Sequence, residues 1–235
     1  MSTNEKPYLP AAGSDWLLPF YDLFTRLTGV RAAHRRLLEQ AALQPGYRIL
    51  EIGCGTGNLA ILARRLNPSV EVLGIDPDPK ALSRARRKAQ RARFPIEFRE
   101  AFSQQLPFPD ASFDRVLSAF MLHHVLPDAK IPTLREALRV LKPGGSLHLL
   151  DFEAGAHPRG LSFRRLLHPH GESHPHGASH RSHPHGESHP HHGAPDLMQE
   201  AGFADPARVA GQKSLLGAVA YYSASRPPGT DPVAA

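Results

Sequence analysis

Arg48-Ile49-Leu50-Glu51-Ile52-Gly53-Cys54-Gly55-Thr56-Gly57 starts as a short apolar, β-branched run and breaks into glycines. Asn58-Leu59-Ala60-Ile61-Leu62-Ala63-Arg64-Arg65-Leu66 follows, with apolar residues at 59, 62, 63 and 66, the spacing of one helical face. Strand, glycine turn, helix is the geometry that brings backbone N–H groups and a helix N-terminus up to a ligand. Each glycine removes a Cβ that would hold the ligand away. The stretch therefore points to a nucleotide-like ligand, and a glycine turn with no ligand is the plain alternative.

Working outward, Val70 to Ile75 reads as a second strand ending at Asp76-Pro77. Asp78 is an N-cap and Pro79 a first helical residue for the helix that follows. Ile96 to Glu100 alternates like an edge strand, and Asp114 to Ala119 is a fourth. Ile131, Leu134, Ala137, Leu138 and Leu141 mark an amphipathic helix, stopped by Lys142-Pro143-Gly144-Gly145 before a strand from Ser146 to Phe152. Upstream, Ser14-Asp15 caps a helix carrying Trp16, Leu17, Phe20, Tyr21 and Phe24, and a second helix runs from Arg31 to Leu43. These aromatics pack on the core or form a lid. Strands alternating with helices predict an α/β fold with a doubly wound parallel sheet.

Two ligand classes share such a loop. Glu51-x-Gly53-x-Gly55-x-Gly57 resembles motif I of the class I S-adenosylmethionine (SAM) methyltransferases, whereas Gly55-x-Gly57-x-x-Ala60 fits the looser dinucleotide-binding form. Later blocks separate them. Leu106-Pro107-Phe108-Pro109-Asp110-Ala111-Ser112-Phe113-Asp114 and Leu138-Arg139-Val140-Leu141-Lys142-Pro143-Gly144-Gly145 resemble the segments before strands four and five of small-molecule methyltransferases. Met121-Leu122-His123-His124-Val125 resembles their loop after strand four. Gly202-Phe203 and Ala220 to Pro227 resemble their C-terminal helix and last strand pair. The chain is thus similar to type 11-like methyltransferases of the ubiquinone/menaquinone group over residues 45–155 and 196–227. The resemblance implies a Rossmann-like three-layer α/β/α fold with a seven-stranded, mostly parallel sheet and an antiparallel last strand. It also implies methyl transfer from SAM to a small-molecule acceptor by in-line displacement. A SAM-binding or metal-responsive regulator without turnover, and an RNA or protein methyltransferase, are the alternatives.

The resemblance assigns the cofactor to Glu51, Gly53, Cys54, Gly55, Gly57, Asp76, Pro77, Phe102, Ser103 and Ala119. The glycine loop takes the methionine end and Asp76 the ribose hydroxyls, while Glu51 orients the loop or meets the amino group. Relatives carry an acid four residues before the Leu-Pro-Phe, to accept from the adenine amine. Here Phe102 stands there, with Ala101 and Ser103 beside it and Glu100 nearby. A general base is required only for a weakly acidic acceptor, and His123 or His124 is the candidate, with a structural loop histidine as the alternative.

The single cysteine, Cys54, excludes an internal disulfide and a Cys-ligated metal site and suits a reducing cytoplasm. Met1 to Pro7 lacks a charged-then-apolar leader pattern, and no apolar run reaches membrane-span length. Net charge is +6, from 28 basic and 22 acidic residues, much of it in Arg84, Arg86, Arg87, Lys88, Arg91 and Arg93. No aromatics are interleaved there for base stacking, so a solvated helix face is expected rather than a nucleic-acid surface.

Residues 1–44 read as a tail with lid-like helices, 45–155 as the SAM-binding core, 156–195 as an insertion, 196–227 as the end of the same domain and 228–235 as a tail. Within the insertion a hexapeptide recurs, bringing His168, His170, His174, His176, His183, His185, His189, His191 and His192 close in sequence. It holds almost no apolar residues and cannot build a core. Clustered neutral imidazoles suit Ni, Zn or Cu, so these histidines are candidate metal ligands, a neutral linker being the alternative. Oligomeric state has no signature in the sequence.

Overall fold

A computed structural model describes residues 29–153, 193–214 and 217–229. The helix expected at Ser14 and the imidazoles of residues 168–192 lie outside them. Seven strands form one sheet: β1 (Arg48–Ile52), β2 (Glu71–Asp76), β3 (Glu97–Glu100), β4 (Phe113–Ala119), β5 (Leu141–Phe152), β6 (Ala204–Ser214) and β7 (Gly217–Ser225). Their order is β3-β2-β1-β4-β5-β7-β6, with β7 antiparallel to both its neighbours. The mostly parallel sheet with antiparallel pairing at its end is the architecture expected from the sequence.

Three helices, α1 (Val30–Ala41), α2 (Asn58–Leu66) and α3 (Pro79–Arg91), cover one face, and α4 (Pro127–Val140) and α5 (Ala194–Glu200) the other. The period of two along each strand sorts side chains between these layers. Ile49 and Val72 pack with Leu37, Leu59 and Leu82 of the first layer, whereas Leu50, Ile52 and Ile75 pack with Leu134 and Met198 of the second. By the same parity Glu51 and Asp76 face the layer that carries the glycine loop. The chain turns from β1 outward to β2 and β3, then crosses back to β4 on the other side of β1. That reversal opens a crevice beyond the carboxyl ends of β1 and β4, where ligands of open α/β sheets sit.

Three boundaries shift by two residues or more from the sequence reading. Helix α1 stops at Ala41 because Ala42 takes a left-handed conformation (φ 45°). Helix α4 starts at Pro127, four residues before the apolar stripe. Leu141 and the glycines read as a helix stop belong to β5, because Gly144 donates to Arg226 O (3.3 Å) and Arg226 N to Gly145 O (2.8 Å). This pairing draws the turn into the ladder.

Candidate functional site

The loop between β1 and α2 is held from below by two backbone bonds, from Gly53 and Cys54 N–H to Ile75 O, each 2.9 Å. Gly57 adopts φ +76°, and a Cβ there would stand 2.9 Å from Phe98 Cζ and 3.0 Å from Ala85 Cβ. Its bareness lets α2 and α3 close on the sheet. Gly55, at φ +50°, would point a Cβ into open space. Among these glycines Gly55 faces the crevice, whereas Gly53 lies directly beneath Met121 of the β4 loop. Cys54 is buried, and burial pushes its thiol well above the usual range, so it is inert packing beside Gly74.

Two carboxyl groups border the loop. Asp76 accepts from Gly55 N–H (2.8 Å) through one oxygen and from Asp78 N–H (2.9 Å) through the other. Burial nevertheless raises its pKa. Each oxygen keeps a lone pair for a ligand hydroxyl. Pro77, partly exposed, follows it at the rim. Glu51 is 3% exposed, and its Oε2 is the one buried side-chain polar atom without a partner among the described residues. Burial pushes its pKa up to about 8, opposed by the Ala60 N–H it accepts and by Lys88 and reinforced by Asp76. Lys88, read from sequence as part of a solvated face, reaches Thr56 Oγ1 (3.1 Å) and Asn58 Oδ1 (2.5 Å).

Beyond the end of β3, Glu100, Ala101, Phe102, Gln104, Gln105 and Pro107 line a cavity of about 380 Å³. Phe102 is 42% exposed at this cavity. Ser103 is aimed elsewhere: its hydroxyl shares a 2.9 Å hydrogen bond with Thr133 of α4.

Across the crevice, Ala119 ends β4 and is partly buried against Phe120, which takes φ +56°. A left-handed backbone costs a non-glycine residue about 1–3 kcal/mol, and this one stands where function is expected. Phe120 packs on Phe152 (centroids 5.3 Å apart), and Phe152 meets the His123 ring edge-on at 5.0 Å. His123 Nδ1 lies 2.5 Å from Asp151 Oδ1, and its backbone N–H donates to Asp151 Oδ2 (3.1 Å). Asp151 is 6% exposed, while the His123 side chain keeps 23% of its surface. The ring of His124, which is exposed, lies 3.9 Å from that of His123 at a tilt of 41°. The two histidines, equal in the sequence, are therefore placed differently: His123 is half-buried and paired with Asp151, whereas His124 is exposed.

The structure thus gathers Glu51, Gly53, Gly55, Asp76, Ala119 and His123 around one crevice and turns the Ser103 hydroxyl away. Sequence reasoning passed over Asp151, Met121 and Phe120. Asp151 carried a signal, since it closes the apolar run Leu147 to Leu150 just as Asp76 closes the second strand. Among the described residues no cluster of three or more His, Cys, Asp or Glu could hold a metal ion.

Fold and crevice together define a doubly wound α/β domain of the kind that takes a nucleotide-like ligand at its switch point. Residues 49–145 match the family model of a methyltransferase domain. Over 139 residues the chain is 40% identical to demethylmenaquinone methyltransferase of Thermus thermophilus, covering 58% of this chain and 62% of that protein. It is 32% identical over 160 residues to the ubiquinone/menaquinone biosynthesis C-methyltransferase UbiE of Geotalea daltonii, covering 66% of each. A Bacillus halodurans methyltransferase structure superposes with TM-score 0.61 at 20% identity, over 83% of this chain and 99% of that one. The [4+2]-cyclase SpnF superposes with TM-score 0.62 at 20% identity, over 85% and 82%. These structural likenesses concern the fold. Residues 49–145 thus match a methyltransferase domain, and the chain is similar to methyltransferases of quinone biosynthesis over its central part. It spans 62%, 57% and 48% of the length of three curated relatives it matches.

Proposed function

We propose that this protein transfers the methyl group of SAM to a hydroxylated aromatic small molecule of quinol type, acting in the cytoplasm. The observation that carries the reading is the placement of the Asp151–His123 pair beside the glycine loop, joined to it by Met121, which covers Gly53 and accepts from His124 N–H at 2.9 Å. Support for the acceptor class comes from the aromatic rim of Phe120, Phe152 and His123 and from the names of the relatives.

The residues fit the cofactor. Glu51 Oε2 lacks a donor, Gly55 leaves open space, and Phe102 lines a cavity beyond the end of β3. Glu51 would hold the amino group, Asp76 the ribose hydroxyls and Phe102 the adenine. When bound, SAM supplies an electrophilic methyl on a sulfonium, and the hard chemistry is its own. The chain aligns the acceptor and prepares its nucleophile. Asp151 fixes the His123 tautomer: Nδ1–H donates to the carboxylate, which leaves the Nε2 lone pair to accept a proton. His123 then takes the acceptor's hydroxyl proton, and the buried Asp151 carboxylate stabilises the imidazolium.

The test is release of labelled methyl from SAM to a panel of phenols and quinols by wild type, His123→Ala and Asp151→Asn. The expected result is transfer by wild type, and loss of transfer with S-adenosylhomocysteine binding retained in both variants. Full transfer by His123→Ala would overturn the assignment of the base. The histidines of residues 168–192 stand, on sequence alone, as a transition-metal ligand set separate from this chemistry.

A further inference from the structure

We infer that Glu51 is a neutral carboxylic acid in the free protein and that the ammonium of the cofactor's amino-acid end ionises it, expelling its proton to solvent. The inference rests on the cofactor assignment above and adds a proton to the binding reaction. It also makes Glu51 the residue that selects ligands carrying an ammonium over bare nucleosides.

The geometry starts with β1. Glu51 is its penultimate residue, on the face toward α2, 3% exposed. The N-cap of α2, Gly57, has no side chain to offer, and the Glu51 carboxyl instead accepts from Ala60 N–H in the first turn. That occupies one oxygen. The other, Oε2, is orphaned inside the protein beside an open glycine loop. A buried unpaired carboxylate is far costlier than a buried unpaired acid, so the free site favours the proton.

Every element around it bears on this balance. From β2, Asp76 opposes a second negative charge. From α3, Lys88 favours ionisation, but its ammonium is engaged by Thr56 and Asn58 rather than by Glu51. The loop's Cys54 thiol is held neutral by burial. From α1, His34 is likewise held neutral, its pKa lowered to about 4 by burial and by Lys88. Leu117 and Ala119, on the same face of β4, bring no charge. With these neighbours the Glu51 pKa lies at about 8. A ribose hydroxyl is a neutral donor and cannot repay the ionisation of a buried acid. A desolvated ammonium, with three donors and a full charge, can. Ionisation is written in balance as Glu–COOH plus R–NH₃⁺ giving the Glu–COO⁻···⁺H₃N–R pair plus one proton to water.

The experiment uses the full chain and two ligands, S-adenosylhomocysteine and 5′-methylthioadenosine, which keeps the adenosine and thioether but lacks the amino acid. Calorimetry at pH 7 in buffers of different ionisation enthalpy counts protons. An acid of pKa about 8 is about nine-tenths protonated there, so S-adenosylhomocysteine should release about 0.9 proton and methylthioadenosine none. Affinity for S-adenosylhomocysteine should rise nearly tenfold per pH unit from about pH 6 to 7.5, and in Glu51→Gln it should be weaker and flat with pH. Binding of S-adenosylhomocysteine without proton release would overturn the inference and leave the cofactor assignment standing. Equal release with methylthioadenosine would overturn it in favour of a ribose-side group such as Asp76. If neither ligand binds wild type, the cofactor assignment falls and takes this inference with it. The wild-type comparison decides the matter even if Glu51→Gln does not fold.

Discussion

On the β1–β2 side the wall of the crevice is mostly main chain, bordered by the carboxyl groups of Glu51 and Asp76. Gly53, Cys54 and Gly55 are pinned through Ile75 O and the Asp76 carboxylate, and side chains have been removed rather than supplied. On the β4–β5 side the wall is made of side chains: Met121, His123, Phe120 and Phe152, with Asp151 behind them. A cofactor that never varies is suited by a backbone mould that mutation alters little. An acceptor that differs between enzymes calls for a wall whose shape and chemistry change with single residues. The fold keeps the two roles on opposite sides of one reversal in strand order.

The comparison can be broken most directly at His123. His123→Ala should lower turnover by about 10²–10⁴-fold, the usual worth of a general base, while the calorimetric Kd for S-adenosylhomocysteine stays unchanged. A weakened Kd would show that the two sides are not separable. The glycines test the other side. Gly57→Ala meets a left-handed backbone as well as Phe98 and Ala85, so it should cost about 2–4 kcal/mol of stability in urea unfolding. Gly55→Ala has room for its methyl and should lose only about 1–2 kcal/mol of stability, yet bind cofactor far worse. If the two variants behave alike, the division between a packing glycine and a ligand-facing glycine is wrong.

Asp76→Ala should weaken S-adenosylhomocysteine by about 2–3 kcal/mol, through loss of charge-assisted bonds to the ribose. It also frees Gly55 N–H, so amide exchange in the loop should quicken. A smaller effect separates the sides by pH. His34 and His148 are each held by burial at a pKa of about 4, below the usual 6.5. Between those values the unfolded chain binds more protons, so their contribution is whole above about pH 6.5 and is lost as pH falls toward about 4. Urea midpoints at pH 7 and pH 5 measure it, and an unchanged midpoint would contradict the buried neutral state. The smallest expected effect lies outside both sides: replacing residues 168–192 with a Gly-Ser linker should abolish nickel binding and leave methyl transfer intact. Lost activity with metal absent would place that segment at the acceptor.

The cofactor side was legible because its parts are close in sequence. A strand, a glycine turn and a helix start are local objects, set by φ/ψ preference and apolar period, and an acid at the end of the next strand completes them. Even there the sequence showed only that glycines were present. That Gly57 serves packing while Gly55 borders open space depends on Phe98 and Ala85, brought to Gly57 from 41 and 28 residues away by chain folding. The acceptor side was hidden for the same reason. His123 and Asp151 stand 28 positions apart and become partners because β4 and β5 are parallel neighbours whose carboxyl ends coincide. His123 and His124 are the same residue type, and the fold brings His123, not His124, onto Asp151. Ser103 lies next to a cofactor-side position, but its hydroxyl is claimed by Thr133, on a helix the local sequence does not mention. The sequence by itself determined which backbone shapes could form. Tertiary structure decided which side chains share a dielectric and a hydrogen bond, since desolvation and pairing depend on neighbours that only the folded sheet assembles.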